Sequence, residues 1–146
     1  MSPLRMDNVS VVVEDLDPAI SFFTELGMEL EGRATVEGDA VDRLVGLEGM
    51  RSDVAMMRTP DGHGRLELST YLHPAAVGPN PGTEPVNTRG MGRVMFNVDD
   101  IDDVVRRLEA AGGELVGEIV QYENSYRLCY LRGPEGILVA LAQPLG

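Results

Sequence analysis

Valine-rich stretches at Asp7–Glu14 and Gly92–Asp99 alternate in side-chain direction and are bounded by turn or cap residues, which predicts two equivalent strands. A helical period follows each. After the first, Ala19, Ile20, Phe22, Phe23 and Leu26 share one face, with Asp17 as the expected N-cap, Pro18 at the first helical position and Gly27 as the stop. After the second, Ile101, Val104, Val105, Leu108 and Ala111 form the corresponding stripe, which ends at Gly112. Three further strand-like stretches complete each half. They are Met28–Val36, Asp53–Thr59 and Arg65–Tyr71 in the first, and Glu114–Gln121, Tyr126–Arg132 and Ile137–Gln143 in the second. Turns at Pro60-Asp-Gly and Pro134-Glu-Gly separate the last two strands of each half. Asp39 to Gly46 is expected to add a short helix to the first half.

The halves also repeat in residue identity. Val13-Glu-Asp-Leu-Asp-Pro-Ala-Ile returns as Val98-Asp-Asp-Ile-Asp-Asp-Val-Val, an offset of 85 positions. The same offset brings Asp15 onto Asp100, Asp17 onto Asp102, Gly27 onto Gly112, and Glu29, Leu30 and Gly32 onto Glu114, Leu115 and Gly117. The unit is βαβββ, used twice: a first module over 5–72, a second over 89–146, and a proline-rich linker over 73–88.

Splitting the strands by face separates an apolar side from a mixed one. Val9, Val11 and Val13 oppose Asn8, Ser10 and Val12, while Val94, Phe96 and Val98 oppose Arg93, Met95 and Asn97. In the last strand of each half, Leu66 and Leu68 oppose Arg65, Glu67, Ser69 and Tyr71, and Ile137, Val139 and Leu141 oppose Leu138, Ala140 and Ala142. The apolar faces should pack on the helices. If the mixed faces curve together they enclose a partly polar cavity, and buried Glu67 and Arg93 would then pair with each other or with a ligand. If not, they face solvent.

Composition narrows the chemistry. The chain has 146 residues with 12 basic and 24 acidic side chains, a net charge of −12, and every basic residue is arginine. Lysine chemistry is therefore excluded, and the acidic balance disfavours nucleic acid and anionic membrane surfaces. No apolar run is long enough to span a bilayer, the start of the chain has no signal-peptide pattern, and a single cysteine, Cys129, fits a reducing compartment, so a cytoplasmic location is expected. No Ser-His-Asp arrangement, phosphate loop or zinc-type spacing is present.

Met6-Asp-Asn-Val-Ser-Val-Val-Val-Glu-Asp-Leu-Asp, Phe22-Phe-Thr-Glu-Leu-Gly, Val98-Asp-Asp-Ile-Asp and Tyr130-Leu-Arg-Gly-Pro-Glu-Gly-Ile-Leu follow one another on this duplicated frame. In that order they resemble the vicinal oxygen chelate superfamily of glyoxalases, extradiol dioxygenases, fosfomycin-modifying enzymes and bleomycin-resistance proteins. The resemblance covers nearly the whole chain. It implies a single α+β domain over 1–146, in which tandem βαβββ modules form a cupped, partly open mixed β-sheet barrel with two main helices outside, and a homodimer.

The superfamily's enzymes hold a metal at inward positions of the first and last strands of each module. Carried over, these positions are Asn8, Glu67, Arg93 and Ala140. Only Glu67 is a usual ligand type; Asn8 offers a neutral amide, Ala140 offers nothing, and Arg93 brings a permanent positive charge. His73 lies about 20 Å and His63 about 13 Å from Glu67 along an extended strand, so neither is expected to complete a site. No metal and no cofactor are expected.

The resemblance then implies a metal-free protein of the bleomycin-resistance type that binds and sequesters a small molecule, such as a natural-product antibiotic. Its ligand-binding candidates are Asn8, Ser10, Glu67, Ser69, Tyr71, Arg93, Met95, Tyr126, Tyr130 and Ala140, with Met56 and Tyr122 as further apolar contacts. Tyr126 and Tyr130 stand as alternatives, because the inward face of their strand is open at this point. The competing reading is a lyase, isomerase or oxygenase with an atypical site and Glu67 as general base. No other catalytic residue is assigned. A protein-interaction subunit with a vestigial cavity is the third reading. Cys129 is expected to be a small strand residue, not a nucleophile.

Overall fold

The computed structural model describes residues 3–78 and 84–146. The chain divides into two units, Met1–Gly78 and Pro79–Gly146. The division falls within the expected linker, of which residues 79–83 lie outside the described residues.

The first unit runs β1 (Val9–Val12), α1 (Leu16–Leu26), β2 (Glu29–Glu37), α2 (Asp39–Val45), β3 (Arg51–Arg58) and β4 (Arg65–His73). Its sheet has the order β1-β4-β3-β2, with β1 parallel to β4 and the other pairs antiparallel. The second unit runs β5 (Val94–Asn97), α3 (Ile101–Ala110), β6 (Glu114–Leu115), β7 (Val120–Tyr122), β8 (Tyr126–Arg132) and β9 (Leu138–Pro144). Here the order is β5-β9-β8-β6, β5 is parallel to β9, and β7 also pairs with β8. The fold class is α+β, with one mixed sheet and one main helix in each unit.

Both main helices form for the same reason and bury the same face. Phe22 and Phe23 of α1 are fully buried, edge to face with ring centres 5.3 Å apart, and Leu16, Ala19 and Leu26 extend the stripe. They cover the apolar face of the sheet, where Leu66, Leu68, Ala55 and Met57 are buried. In the second unit Ile101, Val104, Val105 and Leu108 of α3 do the same, on the side of the sheet that carries Cys129, Leu131, Val139 and Leu141.

Three details differ from the expectation. The cap of α1 is Asp15, whose carboxylate accepts the backbone N–H of Asp17, so Pro18 falls at the third helical position. Proline is tolerated there because none of the first four N–H groups has an intrahelical partner. Asp100, 85 positions on, caps α3 by accepting from the backbone N–H of Asp103, so the two caps are equivalent. Ala111 stands outside α3 as its exposed C-cap.

The expected strand Glu114–Gln121 is broken into β6 and β7. Between the pairs Leu115↔Leu131 and Val120↔Leu128 the edge strand advances five residues while β8 moves back three. In the first unit β2 carries a bulge between Leu30 and Gly32. Gly32 and Gly117 are equivalent under the repeat, and glycine inside a strand removes the side chain that would hold the ladder regular. Each module thus disrupts its outer strand at the same place.

Register shows the duplication most directly. Val9 pairs with Leu66 and Val94 with Val139, and each parallel ladder is extended by one backbone bond, Val13 N–H to Ser69 O and Val98 N–H to Ala142 O, both at 2.8 Å. The end of the last strand then pins the start of the helix. Thr70 Oγ1 donates to the Glu14 carbonyl at 3.0 Å, and Gln143 Oε1 accepts the Ile101 N–H at 2.9 Å. Replacing Asp100 with alanine removes the side-chain acceptor at the N-terminus of α3 and is expected to cost about 1 kcal/mol. The check is a lower urea midpoint at unchanged slope.

Candidate functional site

Period two places on the side opposite α1 the row Ser10, Glu67, Met56 and Gly32, which are consecutive cross-strand partners. The next row is Val12, Ser69, Val54 and Ala34, and Tyr71 opposes Ser52 beyond it. Ser10 Oγ donates to Glu67 Oε1 at 3.3 Å. Ser69 is buried, whereas Glu67, Met56 and Tyr71 are half-buried. Asn8 Nδ2 donates to Asp7 at 2.8 Å, and Arg65 joins Asp7 at 3.1 Å and Glu31 at 2.6 Å. The Asn8 amide holds the Asp7 carboxyl below the ordinary carboxylate range, and the Arg65 and Arg5 guanidiniums act in the same direction.

In the second unit the matching row is Met95, Ala140 and Tyr130. It is followed by Asn97, Ala142, Leu128 and Val120, and then by Tyr126 with Pro144 and Tyr122. Ala140 has no exposed surface, while Met95 and Tyr126 are 44% and 42% exposed. The Arg93 guanidinium carbon lies 5.5 Å from the centre of the Tyr130 ring, within cation–π range. Arg132 donates to the Gly136 carbonyl at 3.0 Å and to the Glu84 carbonyl, which ties the strand end to the segment before β5.

Of the sequence candidates, Ser10, Glu67, Ser69 and Tyr71 share the open face of the first unit. Met95, Ala140, Tyr126 and Tyr130 share that of the second, with Arg93 laid over Tyr130. The partner found for Glu67 is Ser10 and that for Arg93 is Tyr130, each within its own unit. Tyr126 and Tyr130 are not alternatives. They stand four residues apart on one strand and so on one face, with Leu128 between them. The burial of Cys129 and Leu131 fixes the other face, and that alternation was the available signal. Leu128 and Val120 belong to the same surface and were not singled out from the sequence.

The metal-ligand positions carried over from the resemblance can be tested against these donors. Ala140 supplies no donor atom. Arg93 supplies only N–H donors and a fixed positive charge. Among the described residues no group of three or more His, Cys, Asp or Glu is arranged to hold an ion. His73 lies at the end of β4 against Gly49, and His63 is in the exposed turn before β4, where its backbone N–H donates to Asp61 at 3.0 Å. The donor set does not fit a transition metal.

The sequence of the Glyoxalase/Bleomycin resistance protein/Dioxygenase superfamily matches residues 5–141 of this chain. The chain belongs to that superfamily. It is 60% identical to a glyoxalase family protein of Bacillus cereus, with a TM-score of 0.95, covering all of this chain and 97% of that one. Glyoxalase I of Zea mays is 19% identical with a TM-score of 0.67, and this chain spans 47% of it. TnmS3, an antibiotic binding protein from Streptomyces sp. CB03234, is 21% identical with a TM-score of 0.60, covering 99% of this chain and 98% of that one. These two distant likenesses show the fold alone. No curated protein sequence matches the chain.

Among the described residues no helix is long and apolar enough to cross a membrane. Cys129 is buried on the helix side of β8, and desolvation pushes its thiol up to about 11. At pH 7.5 the native protein should therefore resist a thiol-specific disulfide reagent and release one equivalent of chromophore only after unfolding. Rapid labelling of the native state would contradict this placement.

Proposed function

We propose that this superfamily member is a metal-free binding protein that captures a bulky, antibiotic-like small molecule without transforming it. One observation carries the reading. At the positions where the superfamily's enzymes hold metal ligands, the second unit has Ala140 and Arg93, a missing donor and a fixed cation. The surface around them suits a flat organic ligand better than an ion. Met95 and Tyr126 offer exposed apolar and aromatic area on one face, and Tyr130 lies beside them. TnmS3 binds an antibiotic on the same fold. The ligand-facing candidates on the second unit's open face are Arg93, Met95, Tyr126 and Tyr130, with buried Ala140 as the backing of that row, and the first unit's own open face carries the candidates Ser10, Glu67, Ser69 and Tyr71.

The test is a thermal-shift screen of aromatic natural-product antibiotics in excess chelator. At least one ligand should raise the midpoint in a concentration-dependent way, as binding to the native state requires. Glu67→Gln should leave the fold intact and yield no evidence of lost turnover. Binding that disappears with chelator would defeat the reading. Turnover of any ligand that Glu67→Gln abolishes with the fold spared would put a lyase, isomerase or oxygenase in its place.

A further inference from the structure

Most arginines of this chain meet a carboxylate, as expected where acids outnumber bases two to one. Arg5, Arg33, Arg51, Arg58, Arg65, Arg106, Arg107 and Arg127 all form ion pairs. Arg93 does not: among the described residues of its unit its partner is the ring of Tyr130. It is exposed, and it precedes β5 at the edge of the row Met95, Ala140 and Tyr130. A guanidinium held by an aromatic ring keeps N–H donors for a planar acceptor, and that fork matches a carboxylate bidentately.

We propose that Arg93 is the specificity residue of the second unit's open face, and that it selects ligands carrying a carboxylate or similar planar anion on a flat apolar body. The anion meets the Arg93 fork, and the body lies along Tyr130, Tyr126 and Met95. Ala140 and Ala142, in register between Met95 or Asn97 and β8, keep the centre of the row free of bulky side chains. This deepens the binding reading above and rests on it. The net charge of −12 opposes any anion at long range, so the selectivity must arise at contact.

The test compares 2-naphthoate with its neutral isostere 2-naphthamide, in the same buffer with chelator, by calorimetry and by the ε-methyl resonance of Met95 assigned with Met95→Leu. Naphthoate should bind at least tenfold more tightly than naphthamide and shift the Met95 methyl. Arg93→Gln should erase that preference by bringing naphthoate down to the affinity of naphthamide, and Tyr130→Phe, which keeps the ring, should preserve it. Equal affinities in the unmodified protein, or a preference that survives Arg93→Gln, would overturn the proposal while leaving small-molecule binding intact. If neither compound perturbs Met95 at millimolar concentration, the proposal also falls. The antibiotic screen then decides the binding reading on its own.

Discussion

The parallel pairing of each module's first strand with its last is the constraint on which the rest depends. Two parallel strands cannot be joined by a tight turn; they need a crossover. Here α1 and α3 begin the crossover and pack on the sheet, and the remaining strands of each unit pair antiparallel. Register then decides which side chains face away from the helix, because a slip of one residue would exchange every side chain between the two faces. Leu66 and Leu68 would meet solvent and Glu67 would be driven under α1. The apolar ladder therefore holds Ser10, Glu67, Met95 and Tyr130 on the open side at no separate cost.

A shared frame makes the differences between the modules informative. The row Ser10, Glu67 and Met56 corresponds to Met95, Ala140 and Tyr130. The first is polar with one carboxylate, already engaged by a hydroxyl. The second is apolar, with a cation laid over an aromatic ring and a contact worth about 0.5–1 kcal/mol when exposed. That is enough to orient a guanidinium and too little to use up its hydrogen-bonding capacity.

Much of the frame was legible in the sequence because its signals are local. The 85-residue offset, the valine alternation and the helical stripes all appear as patterns over a few turns or strand pairs. Asp17 looks like the cap of α1 because Pro18 favours the first helical position, but the cap is Asp15, three residues before the proline. The matching Asp100 cap, with no proline nearby, shows the pattern more plainly. Gly32 and Gly117 were visible as repeat partners, but that they interrupt their strands depends on pairing with β3 and β8. The open face of β8 stayed undecided in the sequence and follows from the burial of Cys129 and Leu131 in the structure. The partner of Arg93 could not be found this way, since Tyr130 is brought to it only by two strand pairings across β9.

The most direct test of the metal-free account is the metal content of protein purified without chelator, followed by titration with divalent manganese, nickel, cobalt and zinc while the thermal midpoint is recorded. The account predicts substoichiometric metal and no midpoint shift at concentrations that saturate ordinary protein sites. One tightly held equivalent, with a midpoint that rises on titration, would contradict it. The carry-over of Asn8, Glu67, Arg93 and Ala140 would then be wrong.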